Sequence, residues 1–564
     1  QTCALPIFLL KKIKALDAKD MKTSGKHYKH LIFTDVNRSA YGAKIIASAL
    51  HTYGMNMIYH PQGTGFSIND DSKLLETKGK NFAVLLSKAF YDRPVNIKTR
   101  KAILEKFNSR PDNIHGDLVR FIVLDQGFKE GIDLFDVKYV HLLEPLVVPA
   151  DEKQAIGRAT RFCGQKGLEF HPRFGWPLYV YKYDVNIPDE FRRRYGDAKS
   201  LFELYLKYSN LDMRKIIFAS ELENATINSA VDYDLNRPVH TFTIEKPEHP
   251  SLSRSRSLSP RMNGGRTYDI KAPNKIMTLE QMRRYITNHF IDFKYPPLKL
   301  ENKCVGGTKG GANGNLVTFT PTQDFVRHYF QPQSAYKGIL LHHSVGTGKT
   351  CTAIATATTS FDVENYTILW VTRHTLKSDI WKNMFGQVCS LDVQERIKNG
   401  LVLPNKIGSK FRYISGNWLE PISYKQFSNM LLNKNKIYNE KVRRNGEEDP
   451  LRKTLLIIDE AHKLYSPTVA KSEQPDTDIL EKMIQNSYTK SGDDSVRVML
   501  MTATPFTEDG MEMIKLLNLL RQQDHFPVDF NKFSQKYLDN NGYFSKSGLK
   551  EFQDDVSEIG RAHV

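Results

Sequence analysis

Lys337–Thr352 reads KGILLHHSVGTGKTCT, an order of residue types suited to holding phosphates. The apolar run Gly338–Leu341 suits a buried strand, and the residues after Thr350 suit a helix. Between them Gly346, Thr347 and Gly348 form a turn tight enough to aim backbone N–H groups and a helix start at an anion. Lys349 sets a cation against β- and γ-phosphates, and the Thr350 hydroxyl can ligate Mg²⁺. His343 stands where the consensus loop has its first glycine. Downstream, Asp459-Glu460-Ala461-His462 follows the apolar strand Thr454–Ile458. A carboxylate at the carboxyl tip of a parallel strand, beside a phosphate loop, is placed to hold Mg²⁺. That role falls to Asp459, and Glu460 would orient and deprotonate the attacking water. In Met501-Thr502-Ala503-Thr504-Pro505 the hydroxyls of Thr502 and Thr504 can bond His462 and relay nucleotide state. Gln323, upstream of the loop, has an amide able to read adenine with one donor and one acceptor. A glycine turn, an exposed acidic strand end, a Thr-Pro stop and a surface Gln each explain one element; their occurrence together weighs against those readings.

The early half of the chain supplies what a phosphate loop lacks. Gln154-Ala155-Ile156-Gly157-Arg158-Ala159-Thr160-Arg161 fits QxxGRxxR on a helix, with Arg158 and Arg161 on one face. Planar guanidinium forks there can grip transferring phosphate oxygens. A solvated basic helix face is the alternative. Gly131, in Glu130-Gly131-Ile132-Asp133, would let the backbone approach nucleotide or nucleic acid closely, and Asp133 could contact ribose or orient an arginine.

These residues need strands to carry them. His30–Phe33, Phe82–Leu86, Arg120–Leu124, Tyr139–Leu143 and Leu178–Val180 read as short buried strands, with helices over Ala40–Leu50 and Lys101–Phe107. Alternation at this spacing indicates βαβ units and a parallel sheet over residues 25–183. Residues 184–244 read as a helical extension. Residues 245–315 read as a linker, largely disordered, with one helix over Thr278–Phe293. A second α/β lobe spans 316–557, on strands Gly338–Leu341, Thr367–Val371, Thr454–Ile458 and Val496–Met501. The fold class is α/β: two parallel-sheet lobes joined by a partly disordered linker.

At 564 residues the chain has room for about three or four domains. Its net charge of +17 favours a polyanionic partner, because lysines and arginines that neutralise phosphates release counterions. No window has the apolar length of a membrane span. The five cysteines (Cys3, Cys163, Cys304, Cys351 and Cys389) show no CxxC spacing and read as reduced thiols in an intracellular protein. Cys3–Leu10 has neither a charged leader nor a cleavage site, so no signal peptide is expected. Gln1–Ile7 and Ile559–Val564 can be encoded by opposite strands of one DNA segment: ATCGGAAGAGCACACGTC gives the latter, and its complement, reframed, the former. They resemble translated sequencing adapter and are set aside from fold reasoning.

Taken together, HSVGTGKT, DEAH, TATP, HLIFTD, FKEGIDL and QAIGRATR resemble motifs I, II, III, IV, V and VI of superfamily 2 helicases and translocases. Phe107–Pro145 and Thr502–Leu520 are similar to helicases of large cytoplasmic DNA viruses, including the poxvirus early transcription factor small subunit and nucleoside triphosphatase I. The resemblance covers residues 25–183 and 316–557. It implies two RecA-like lobes, ATP and Mg²⁺ in the cleft between them, and DNA-stimulated hydrolysis. It also implies a nucleic-acid partner (DNA before RNA), contact with a viral RNA polymerase, and a place in the host cytoplasm or the virion. The order departs from the family: motifs IV–VI precede I–III. The expectation is therefore a fragment or chimera that joins the end of one helicase to the start of another, or a permuted gene. A non-catalytic transcription-complex scaffold is the competing class. A small-molecule P-loop kinase would have no use for QxxGRxxR.

Overall fold

A computed structural model describes residues 4–35, 42–63, 65–86, 95–125, 132–144, 149–161, 163–192, 198–208, 212–240, 271–298, 300–302, 304, 319–343, 347–373, 376–385, 389–402, 416–466, 474–506, 509–523, 525–557 and 559–563. The chain divides into two compact units. One comprises Gln1–Asp212 with Leu300–Gly307, the other Met213–Lys299 with Thr308–Val564.

The first unit is built on β1 (Lys29–Thr34), β2 (Asn56–Met57), β3 (Tyr59–Gln62), β4 (Gly65–Ile68), β5 (Asn81–Leu85), β6 (Phe121–Asp125), β7 (Val137–Leu142) and β8 (Tyr179–Lys182). Six of these form a wholly parallel sheet in the order β2-β5-β6-β1-β7-β8, and β3 and β4 pair as an antiparallel hairpin. Leu31, Ile32, Val84, Val123 and Val140 are fully buried, as expected of strands covered on both faces. Each strand expected from the sequence is present. The brief β2 and the hairpin, which carry no long apolar run, were not foreseen. The unit also extends upstream of residue 25, because Leu9 and Ile13 of the helix Ala4–Ser24 sit in its core. Asn113 locks the turn before β6. Its amide N–H groups donate to the Phe107 and Val119 carbonyls at 2.9 Å, and its oxygen accepts from the N–H groups of Leu118 and Val119.

The second unit carries β9 (Gly338–His342), β10 (Thr367–Thr372), β11 (Ile422–Ser423), β12 (Thr454–Asp459), β13 (Arg497–Thr502) and β14 (Gly560–His563). The sheet is parallel throughout, in the order β11-β10-β12-β13-β9-β14. Both sheets have the parallel, helix-covered architecture of RecA-like lobes. Alternate residues of each strand face opposite layers. Leu456, Ile458, Leu369 and Leu500 pack into one core, and Leu455, Ile457, Trp370 and Met499 into the other. Gly338 begins β9 because a Cβ there would lie 2.6 Å from Leu520 Cδ2. Residues 560–563, set aside in the sequence reading, lie as an edge strand beside β9.

The stretch 184–244 divides between the units after residue 212. Phe218 and Leu222, on the helix Met213–Asn228, are fully buried in the second unit, with the Phe218 ring 5.1 Å from that of Phe533. In the stretch read as linker, the helix Leu279–His289 opens with a complete capping box between Thr278 and Gln281. It buries Met282 and Ile286 in the second unit's core. Residues 241–270 and 305–318, most of the stretch read as disordered linker, lie outside the described residues. The expectation of five reduced thiols is corrected. Cys163 pairs with Cys304 and Cys351 with Cys389 as disulfides, with Cα atoms 5.7 and 5.1 Å apart. Partners 141 and 38 residues apart are invisible to a search for local spacing. Among the described residues no helix is long and apolar enough to cross a membrane.

Candidate nucleotide site

The phosphate-loop residues meet at the carboxyl end of β9. Ser344, Val345 and Gly346 lie outside the described residues, and Thr347 precedes the turn. Gly348 is left-handed, with φ 84° and ψ 31°, and a Cβ there would lie 2.6 Å from Gln323 Nε2. The left-handed backbone is what requires glycine at this position, since the Gln323 amide could move aside. The helix Lys349–Thr356 starts immediately afterwards, so Lys349 and Thr350 occupy its first turn. Lys349 Nζ donates to the His343 carbonyl at 3.0 Å. Burial, and then the Lys349 charge, push the His343 imidazole down to about 3, which keeps it neutral at ordinary pH. Gln323 closes a capping box with Thr320 at the head of the helix Pro321–Tyr329, and its Nε2 donates to the Gly348 carbonyl at 3.3 Å. The amide expected to face adenine is thus turned toward the loop and its own helix cap.

Asp459 ends β12, opposite Met501 of β13, and Thr502 of β13 lies opposite His342 of β9. The three strand ends therefore bring the loop, the acidic pair and the Thr-Ala-Thr segment to one edge of the sheet, the edge where open α/β sheets bind ligands. The Asp459 carboxylate accepts from Thr372 Oγ1 at 3.2 Å and from the Glu460 N–H at 3.1 Å. Burial raises its proton affinity and the neighbouring Glu460 raises it further, with Lys349 pulling the other way. Glu460 itself is left-handed, at φ 55° and ψ 47°. A non-glycine residue there carries strain of the kind that collects at functional sites. Tyr424 holds this turn. Its hydroxyl donates to the Asp459 carbonyl at 2.7 Å and to the Glu460 carbonyl at 3.0 Å. His462 Nδ1 lies 3.0 Å from Thr502 Oγ1 and 3.6 Å from Glu460 Oε2. The Thr502 hydroxyl also reaches the Thr504 carbonyl at 2.8 Å and accepts from the Thr504 N–H at 3.0 Å. With its single hydrogen on that carbonyl, Thr502 must accept from His462, which puts the imidazole proton on Nδ1. The expected link is present between His462 and Thr502, and Thr504 joins it through Thr502.

The residues expected in the first unit are arranged differently from a shared helical face. The helix Pro149–Gly157 stops at Gly157, and Arg158 and Arg161 follow it in a tightened turn, where the Arg158 N–H donates to Ala155 O at 3.3 Å. Arg158 is buried and donates to the Ile132 carbonyl at 3.0 Å, whereas Arg161 is partly exposed and donates from Nε to Asp133 Oδ1 at 2.5 Å. The single-face expectation is thus corrected: one guanidinium ties the turn to the strand-end loop, and the other is steadied by a carboxylate. Asp133 does orient an arginine. Gln154 is buried on the same helix, and Gly131 lies outside the described residues. A neighbouring clamp had no local sequence signal. Arg110 meets Asp136 through two bonds, at 2.6 and 2.8 Å, and also donates to the Gly164 carbonyl at 2.5 Å.

Among the described residues no cluster of three or more His, Cys, Asp or Glu side chains could hold a metal. One carboxylate and one hydroxyl nevertheless suit Mg²⁺, which binds few protein oxygens and otherwise keeps water and substrate phosphates. Asp459, at the end of β12, and Thr350, in the first turn of the helix after the loop, supply one group of each kind. Sequence reasoning missed Tyr424 and Thr372, which lie 35 and 87 residues from the groups they hold. Only strand pairing brings them close.

Residues 316–507 match the family model described as Type III restriction enzyme, res subunit. Two proteins of Acanthamoeba polyphaga mimivirus, each provisionally named an ATP-dependent RNA helicase, are similar to the chain. One is 30% identical over 252 residues, 42% of this chain and 39% of that protein; the other is 23% identical over 318 residues, 55% and 34%. A termination factor NPH-I homologue of African swine fever virus is 21% identical over 202 residues, 36% of this chain and 25% of that protein. The chain thus spans well under half the length of these relatives. The C-terminal part of the Fun30 ATPase domain aligns at 16% identity over 30% of this chain and 40% of that chain, with a TM-score of 0.19, too slight to carry an argument. Residues 316–507 therefore carry a helicase-like domain, and the chain is similar to proteins named as helicases in large DNA viruses.

Proposed function

We propose that the chain is an ATP-dependent nucleic-acid translocase or helicase, with DNA-stimulated hydrolysis, that serves viral transcription. One observation carries this reading: Lys349, Asp459, the strained Glu460 and the His462–Thr502 pair share the carboxyl edge of β9, β12 and β13. Lys349 moves from the His343 carbonyl to the β/γ-phosphates when nucleotide binds. Thr350 and Asp459 would hold Mg²⁺, which would supply charge neutralisation at the phosphate oxygens. Glu460 orients the attacking water and accepts its proton. The His462–Thr502 contact joins the end of β12 to the end of β13, so a change at the acidic pair is felt by Thr504. The net charge of +17 suits a polyanionic track. DNA in preference to RNA, a viral RNA polymerase as partner, and a place in the host cytoplasm or virion belong to the same proposal.

ATPase assays with and without DNA or RNA test it. Wild type should hydrolyse ATP faster with DNA, and Lys349→Ala and Glu460→Gln should abolish turnover. Wild-type turnover in Glu460→Gln would refute the mechanism. Nucleotide binding without hydrolysis in the wild type would favour the scaffold reading.

A further inference from the structure

We infer that Tyr424 is a positioning residue for Glu460, a role that rests on the proposed reading of Glu460 as the water-activating group. Glu460 occupies a backbone conformation that L-residues avoid, so something outside its own peptide must hold it there. The Tyr424 hydroxyl meets that need directly. Its single hydrogen is shared between two successive carbonyls, Asp459 O at 2.7 Å and Glu460 O at 3.0 Å. Two adjacent carbonyls turned to one donor fix the two peptide planes that bracket the Glu460 side chain, and so fix where its carboxylate points.

The support behind Tyr424 is rigid. The residue is 4% exposed and packs in the core beneath β12. It is the first residue of the helix Tyr424–Leu431, which Ser423 caps through a complete capping box with Gln426. Ser423 pairs across the sheet with Thr372, whose hydroxyl bonds the Asp459 carboxylate at 3.2 Å. The β10–β11 edge therefore grips the acidic pair twice, by carboxylate and by backbone. The phenol touches neither nucleotide nor water in this role; it acts through the turn.

The test is Tyr424→Phe in the full chain, which keeps the ring in the core and removes only the hydroxyl. Steady-state ATPase should show kcat lowered roughly ten- to a hundredfold, because a displaced base loses most of its alignment with the attacking water. KM for ATP and the affinity for a fluorescent ATP analogue should stay within about twofold of wild type. In a Glu460→Gln background Tyr424→Phe should cause no further loss, since the group it positions is already disabled. Wild-type kcat in Tyr424→Phe, with Glu460→Gln inactive, would overturn this inference alone. Wild-type kcat in Glu460→Gln would overturn the reading beneath it. Loss of nucleotide affinity in Tyr424→Phe would also overturn it, by making the hydroxyl a support of the whole fold.

Discussion

Replacing Glu460 by glycine should make the protein more stable and catalytically dead. Glu460 is left-handed at φ 55° and ψ 47°, which costs an L-residue about 1–2 kcal/mol relative to glycine. Glycine relieves that strain but enlarges the unfolded ensemble, returning roughly 0.4–1 kcal/mol. The backbone bonds at the turn, from Tyr424 to the two carbonyls and from the Glu460 N–H to Asp459, survive the change. The balance is a net stabilisation of about 0.5–1 kcal/mol, or a rise in Tm of roughly 1 °C for a unit of this size. Removing a general base should cost about 10²- to 10⁴-fold in kcat. Glu460→Gln separates the two effects, because it keeps the left-handed strain and loses only the base. Its Tm should not rise with that of Glu460→Gly, while its turnover falls as far. Thermal unfolding and steady-state ATPase on the three proteins decide the matter. A lowered Tm in Glu460→Gly would refute the strain argument, and retained turnover in either variant would refute the assignment of the base.

Arg161→Ala should lower ATP turnover more than nucleotide binding, whereas equal losses would remove Arg161 from phosphate chemistry. Lys29 is buried and donates to the Phe107 carbonyl at 2.7 Å, and burial lowers its pKa from the ordinary 10.5 to about 7. Between those values the unfolded chain binds a proton that the folded chain does not, so stability rises with pH; Lys29→Met should flatten that rise by about 1.4 kcal/mol per pH unit, read from denaturant unfolding. Asn113→Ala strands buried partners on both sides of its turn, so the first unit should lose roughly 3 kcal/mol or more in the same assay. A fragment that begins at residue 271 should be less stable than one that begins at residue 213, because burial of Phe218 and Leu222 contributes about 1.5–3 kcal/mol each; equal stability would contradict the packing.

The phosphate loop, the acidic pair and the strands that carry them were legible because each is a contiguous signal. Leu455–Ile458 is apolar without alternation, as a strand buried on both faces must be, and the loop chemistry follows β9 directly. The His462–Thr502 contact was also foreseen, since two strand ends side by side bring their next residues together. What escaped the sequence depends on partners distant in the chain. Nothing near Arg158 tells that it will turn inward to the Ile132 carbonyl while Arg161 meets Asp133. Nothing near Tyr424 points to Asp459 or Glu460. Phe218 carries the same lesson at the scale of domains. The sequence reads residues 184–244 as one helical extension, yet the Phe218 ring lies in the core of the phosphate-loop unit, beside Phe530 and Phe533. The helix Met213–Asn228 is therefore structural material of the unit that holds Lys349.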